Sequence, residues 1–491
     1  MKTLRMTIDA TQRKSHINRE LYGHFIEHTG RIVYDGLFVG RESEIPNVNG
    51  VRTDVIEALR EIDAPMLHWP GGWEAESYRW RNGIDQDGRR ARSINAGTGT
   101  VDDNGFGTHE FFDLCEQLGA EPYLVTNVGS GSAAEAGEWL EYITYSGDSD
   151  TAELRRRNGR DEPWSLKYLC AGNEWYAYMP AASFASEYQR HLVFTRNYGP
   201  ERMNRILRGA HHFDYAITTE LVSLVQPGSF HAMTLYHVIL SVRGGEPGMG
   251  HSEQFSDDEY YATLANALDL DESITRHIEI IRAREGNENV RLAIDEWGTW
   301  HQQDGDEKWF MQITMRDALV QATVLNIFNQ RADLLLLATL CMPINALSAL
   351  LHTSGSQLLR TPAYYVHKMY KGHQGATLVG STLENDTVEL GSESLPAISH
   401  SVSVKDDRLL ITLVNCSLDR DYLIDCDLGT DEYALVDAEI LHSDDVRTRN
   451  HYDQPDLVVA QPFSGVRQEG GALQVELPRC SVVAVRLRAR S

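Results

Sequence analysis

Between residues 17 and 375 short apolar runs alternate with longer segments of mixed polar and apolar spacing. The runs cover 21–28, 65–70, 121–128, 166–173, 206–210, 231–237, 290–296 and 334–344. Short, mostly apolar and bounded by turn residues, they read as strands buried on both faces. Helical character falls at 53–62, 108–118, 133–145, 181–198, 214–225, 257–284 and 309–331. Asp54, Ile56, Glu57 and Leu59 illustrate the amphipathic spacing. Strands alternating with helices predict a parallel sheet. Eight such units over this length predict an α/β fold closed as a (β/α)8 TIM barrel, in preference to an open doubly wound sheet.

After residue 375 the pattern changes. Segments 397–404, 408–414, 433–441, 472–477 and 481–487 are short and rich in Val, Ile and Leu. Turn signals such as Lys405-Asp406-Asp407 and Gln468-Glu469-Gly470-Gly471 separate them. They predict a C-terminal all-β sandwich domain. Segment 3–8 is expected to join its sheet. The expected division is 1–16 with the sandwich, 17–375 as the barrel and 376–491 as the sandwich proper.

Composition narrows the partners. The net charge of −26, from 71 acidic and 45 basic residues, excludes a phosphate backbone or an anionic membrane surface as the binding partner. Such an acidic surface suits self-repulsion in ordinary buffer, or a high-salt cytoplasm where it is screened. The cysteines at 115, 170, 341, 416, 426 and 480 show no CxxC or zinc spacing and read as small buried hydrophobes. The opening MKTLRMTIDATQRKSH has no apolar signal-peptide core, and no run of 18 apolar residues occurs. A cytoplasmic protein is expected. No phosphate-binding glycine motif is present, and no cofactor is expected.

Two strands end on acids. "LKYLCAGNEW" finishes on Asn173-Glu174-Trp175, and "NVRLAIDEWG" on Asp295-Glu296-Trp297-Gly298. In a (β/α)8 barrel these ends form the active-site face. Two carboxylates there suit glycoside hydrolysis, one as protonated acid and one as ionised nucleophile. The competing reading, a Glu that pairs with Arg or caps a helix, fits one such strand end better than two. Asn173 is placed to bond a sugar 2-hydroxyl. "HFIEH", residues 24–28, matches the inverted metallopeptidase pattern H-x-x-E-H. That chemistry needs a helix, whereas in a strand Glu27 faces away from His24 and His28, so no metal is expected. His211-His212 reads as barrel packing. "HWPGGWEAESYRW" ends the second strand on a turn whose glycines allow close approach to a ligand. Trp73, Tyr78, Trp80, Trp297 and Trp300 serve sugar stacking or packing, and Tyr236 closes the sixth strand.

These residues resemble glycoside hydrolase family 51 α-L-arabinofuranosidases. The resemblance is carried by "ELYGHFIEHTGRIVYDGLFVG", "IPNVNGVRTDVIEALREIDAPMLHWPGG", "FGTHEFFDLCEQLGAEPYLVTNVGSGSAAEA", "KYLCAGNEW", "LYH", "AIDEWGTW" and "TPAYYVHKMYKGHQ". It implies a barrel with a C-terminal β-sandwich, a retaining metal-independent mechanism, and often a hexamer. It implies Glu174 as acid/base, Glu296 as nucleophile, and Glu27, Asn173 and Tyr236 as sugar contacts, with Gly71 and Gly72 keeping the turn. The implied substrate is a terminal α-L-arabinofuranosyl group on an oligosaccharide. Four positions depart. His68 stands where the family usually has Arg, and Trp73 where it has Asn or Cys; both are expected at the sugar site. Met342 and Ser348, in Cys341-Met342-Pro343-Ile344-Asn345-Ala346-Leu347-Ser348, replace the family's glutamines. A retaining hydrolase of another furanoside or pyranoside, and a non-catalytic carbohydrate-binding protein, are the alternatives.

Overall fold

The computed structural model describes residues 1–85, 89–96, 99–243 and 249–490. Eight parallel strands close into a barrel in chain order: Gly23–Phe25, Met66–Trp69, Glu121–Thr126, Tyr168–Ala171, Asn204–His211, Ala232–Ile239, Arg291–Thr299 and Leu335–Cys341. The eighth pairs in parallel with the first, Leu340 opposite His24. Side chains alternate across each strand. Met66, Tyr123, Val125, Tyr168, Cys170, Ile206, Ala232, Ala293 and Leu337 fill the interior as one cluster. Leu67, Leu124, Leu169, Leu207, Leu292 and Ile294 belong to the larger core shared with the helices.

Each strand is followed by a helix on the outside: Thr53–Glu61, Thr108–Leu118, Ala133–Thr144, Ala181–Phe194, Tyr215–Leu224, Asp257–Arg282, Met315–Gln330 and Pro362–Tyr370. The helix expected from residue 309 starts at Met315, because Thr314 and Asp317 form a capping box there. Met315–Gln330 is buried on nearly every side. The barrel covers one face and the β domain the other, and its polar residues are paired across that seam. Asn326 Nδ2 donates to Ser399 Oγ at 3.1 Å, and Thr412 Oγ1 donates to Asn326 Oδ1 at 2.9 Å.

The β domain is a ten-stranded sheet rolled upon itself. Lys2–His16 lies inside it, antiparallel to Thr377–Leu383 and parallel to Tyr422–Asp427. Leu4, Met6, Ile8 and Ala10 point inward at strand spacing, which explains why this segment forms a strand. Gln468 ties the two ends of the roll, donating to Tyr433 O and accepting from Leu435 N. The chain leaves the sheet at Ile17 and returns at Ala376, and the crossings bond each other, Ile17 N to Ala376 O at 2.8 Å.

Candidate active site

The fourth strand stops at Ala171, and the backbone of the next residues is held by an acid from another loop. Glu76 Oε1 accepts from Asn173 N at 2.6 Å and from Glu174 N at 2.7 Å. Its Oε2 accepts from Gly129 N at 2.9 Å and from the Tyr178 hydroxyl at 2.5 Å. One buried carboxylate thus joins the loops after the second, third and fourth strands. It fixes where Glu174 begins.

The Pro-Gly-Gly turn packs beside it. A Cβ on Gly72 would lie 2.8 Å from Glu174 Oε1 and 3.4 Å from Glu27 Oε1, so the bare backbone leaves room for both acids. Glu27 sits at the end of the first strand and accepts from Glu74 N at 3.1 Å.

Two bulges flank the sixth strand. Between Thr234 and Tyr236 that strand advances two residues while the seventh advances three, from Ala293 to Glu296. The extra residue lets Asp295 and Glu296, adjacent in sequence, both turn inward. Trp297 then faces out against Phe328, ring centroids 5.2 Å apart. The fifth strand likewise takes three steps, Leu207 to Ala210, against Met233 to Leu235. Arg208 enters the interior at this bulge. Its Nη1 donates to Asp295 Oδ2 at 2.6 Å and its Nη2 to Glu296 Oε1 at 3.1 Å. Asn173 Nδ2 also donates to Glu296 Oε1, at 2.7 Å.

Charge is crowded here. Burial, then the charge of Glu27, pushes Glu174 up to about 7. Burial, and more weakly the charge of Glu296, pushes Glu27 up to about 7 as well. Burial raises Glu296 too, with Arg208 the largest opposing influence. Bonding separates the two acids. Glu296 Oε1 receives two donors, which favour its ionised form. No hydrogen bond to the Glu174 carboxyl is found among the described residues, so hydrogen bonding favours the ionised form of Glu296 over that of Glu174.

Glu27, Glu174, Tyr236, Glu296 and Trp73 line one open cavity of about 860 Å³. Tyr176, Trp300, Lys308, Trp309, Met342 and His211 are also among its lining residues. Trp73 is 38% exposed and meets Tyr178 edge-on at 6.3 Å. Asn173 is buried beneath the cavity floor. His68 departs from its expected sugar contact. It does not line the cavity but lies fully buried below it, stacked on Phe25 at 4.1 Å and edge-on to Tyr123 at 4.7 Å. His68, one residue before the strand end at Trp69, points into the interior layer and cannot reach a ligand at the rim. Ser348 is also buried, donating to Thr299 O at 3.0 Å.

Sequence reasoning missed Glu76 and Arg208. The signal for Arg208 was present: an arginine inside the apolar run "RILRGA" must find a carboxylate there. The two His of the H-x-x-E-H segment do not converge. His24 neighbours His367 at 5.6 Å, whereas His28 accepts from Trp69 Nε1 at 3.0 Å. Among the described residues no group of three or more His, Cys, Asp or Glu could hold a metal ion.

Known proteins of similar sequence and shape bear on this geometry. Residues 58–217 match the family described as the alpha-L-arabinofuranosidase 1 domain, and residues 295–481 the alpha-L-arabinofuranosidase C-terminal domain. An intracellular exo-alpha-L-arabinofuranosidase of Bacteroides ovatus is 37% identical over 496 residues, covering 99% of this chain and 96% of its own. The crystal structure of a GH51 arabinofuranosidase from Xanthomonas axonopodis pv. citri superposes with a TM-score of 0.95 at 32% identity, covering 99% of this chain and 100% of that one. An alpha-L-arabinofuranosidase from Thermotoga maritima, in complex with arabinose, gives a TM-score of 0.87 at 25% identity, covering 99% and 100%.

Proposed function

Because the chain belongs to the α-L-arabinofuranosidases of glycoside hydrolase family 51, we propose that it releases terminal α-L-arabinofuranosyl groups from oligosaccharides by double displacement. Glu174 donates its proton to the glycosidic oxygen while Glu296 attacks the anomeric carbon. The bond to the leaving group breaks as the glycosyl-enzyme ester forms. Glu174, now ionised, takes a proton from water, and that water displaces Glu296 with net retention. Glu27 and Tyr236 face the bound sugar from the cavity wall, and Asn173 orients Glu296. His68 acts on the site only from below.

The observation that carries this reading is the pairing of a doubly bonded Glu296 with an unbonded, raised Glu174 in one cavity. Trp73 and Met342 at the walls favour one second reading, a retaining hydrolase of a different furanoside or pyranoside. The same reading divides the chain into a catalytic barrel, 17–375, and a sandwich formed by 376–491 with 1–16. It puts the enzyme in the cytoplasm as a homo-oligomer, a hexamer by family resemblance, with arabinose-containing oligosaccharide as its partner and no cofactor. The intracellular Bacteroides relative supports the location.

The test is a panel of aryl furanosides and pyranosides at low and high salt, with Glu296→Ala alongside. Turnover of the α-L-arabinofuranoside, lost in the variant, is expected, with the α-anomer of arabinose as first product by NMR. Turnover of another glycoside alone selects the second reading. No turnover of any sugar by folded protein rejects both.

A further inference from the structure

Arg208 and His68 belong to one buried layer beneath the cavity, and the layer contains an imbalance. Arg208 is 1% exposed and its guanidinium reaches both Asp295 and Glu296. His68 is fully buried, and neither of its ring nitrogens has a hydrogen-bond partner among the described residues. Two vacant nitrogens in a closed interior are costly unless the position is held for another reason. His68 contacts the ring of Tyr123, whose hydroxyl lies 3.4 Å from Asp295 Oδ2. The imidazole therefore stands one side chain away from the carboxylate that Arg208 holds. Burial, and then the charge of Arg208, keeps the His68 ring neutral.

The groups facing Glu296 are Glu27 from the first strand, Glu174 and Tyr176 after the fourth, Arg208 on the fifth, Tyr236 on the sixth, Asp295 on its own strand and Cys341 on the eighth. Arg208 is the cation in that ring. Burying a carboxylate among three others without it would leave the nucleophile protonated.

We propose that Arg208 is a positioning residue that supplies the fixed positive charge against which Glu296 stays ionised and aimed, and that position 68 is a second seat in the same layer from which that charge can be delivered. Arg208 does not touch the substrate. Its fork bridges two adjacent carboxylates that the seventh-strand bulge has turned inward, so it sets both the charge and the direction of Glu296. The idea rests on Glu296 being the nucleophile. A guanidinium at position 68 would approach Asp295 from the Tyr123 side, and the cation would then stand on the second strand instead of the fifth.

The experiment compares Arg208→Met, Arg208→Lys and the double variant Arg208→Ala/His68→Arg with wild type. All are read on whichever glycoside the wild-type enzyme hydrolyses best, so a wrong sugar assignment shows in the wild type and not as a variant effect. Arg208→Met is expected to lower kcat roughly 10²–10³-fold with little change in KM. The acid limb of its pH–kcat profile should move upward by about one unit or more, because Glu296 then keeps its proton longer. Arg208→Lys keeps a charge but not the fork, and should show the kcat loss with a smaller displacement of that limb. The double variant should recover about tenfold or more of the loss and return the limb toward wild type, at about the magnitude of one charge-assisted contact. A folded Arg208→Met with wild-type kcat and an unmoved acid limb overturns the positioning role. If Arg208→Met does not fold, a wild-type profile in Arg208→Lys overturns it instead. A folded double variant no more active than Arg208→Met overturns the second seat.

Discussion

Glu174, half-buried, and Glu296, buried, lie in one cavity with different bonds, and that difference makes a pH prediction. Glu174 must be protonated for the first step, and burial, then the charge of Glu27, pushes its carboxyl up to about 7. kcat/KM should therefore fall as pH rises through about 7, approaching tenfold per unit, and Glu174→Ala should flatten that limb. The same variant should slow aryl substrates with poor leaving groups by about 10²–10⁴-fold and spare those with good ones. Glu74 gives a stability prediction. Burial, then the charges of Glu27 and Asp102, pushes it up to about 8, and its Oε2 has no hydrogen-bond partner among the described residues. A carboxyl raised on folding contributes stability that is full below about 4.5, the unfolded range, and is lost as pH rises through about 8. Glu74→Gln cannot ionise. Its unfolding temperature relative to wild type should thus be higher at pH 9 than at pH 5, by several degrees, equivalent to roughly 4 kcal/mol. Equal differences at both pH values would reject the buried charge. The strand-end acids were legible in sequence because a barrel has only one active face. Glu76 was not, and for Arg208 only the need for a carboxylate was legible and not which one, since each acts on a residue far along the chain, Glu76 on Asn173 and Arg208 on Glu296.

At the scale of elements, the eight strands were legible within a few residues because apolar runs with flanking turns carry them. The bulges were not. No local pattern in "AIDEWG" says that Asp295 and Glu296 share a side, because that depends on the pairing of Thr234 and Tyr236. Gly209 marks the companion bulge. Its N–H donates to Thr234 Oγ1 at 2.9 Å, and a Cβ there would lie 2.2 Å from Thr234 O. Gly209→Ala should cost about 1–3 kcal/mol by overpacking. It should also lower kcat more than Arg208→Lys does, because the whole bulge must move. Unfolding in denaturant and initial rates check both, and an unchanged kcat would show that the bulge does not aim Arg208. The short strands at Tyr422–Asp427 and Val466–Glu469 were missed for a related reason. Their burial alternates and their exposed positions are polar, so they lack a continuous apolar run.

For the whole molecule, the net charge of −26 dominates the response to salt. Screening shortens from about 10 Å at 0.1 M to about 3 Å at 1 M, relieving repulsion between surface carboxylates. The unfolding temperature should rise steadily between about 0.1 and 1 M KCl. A flat or falling curve would mean that surface ion pairs, which salt weakens, matter more than the repulsion. The seam between barrel and sheet is structural in both directions. Met315–Gln330 relies on the sheet to cover one face. The position of Lys2–His16 adds a constraint in time. Its neighbours in the sheet are Thr377–Leu383 and Tyr422–Asp427, so this strand is made long before the partners it pairs with. At about 5–20 residues per second, a ribosome needs roughly 20–70 s to travel from the one to the other. During that interval this segment is without its partners in the sheet. Its polar second half, Thr11-Gln12-Arg13-Lys14-Ser15-His16, suits that wait, for a nascent edge of this kind resists joining its neighbours on a polysome.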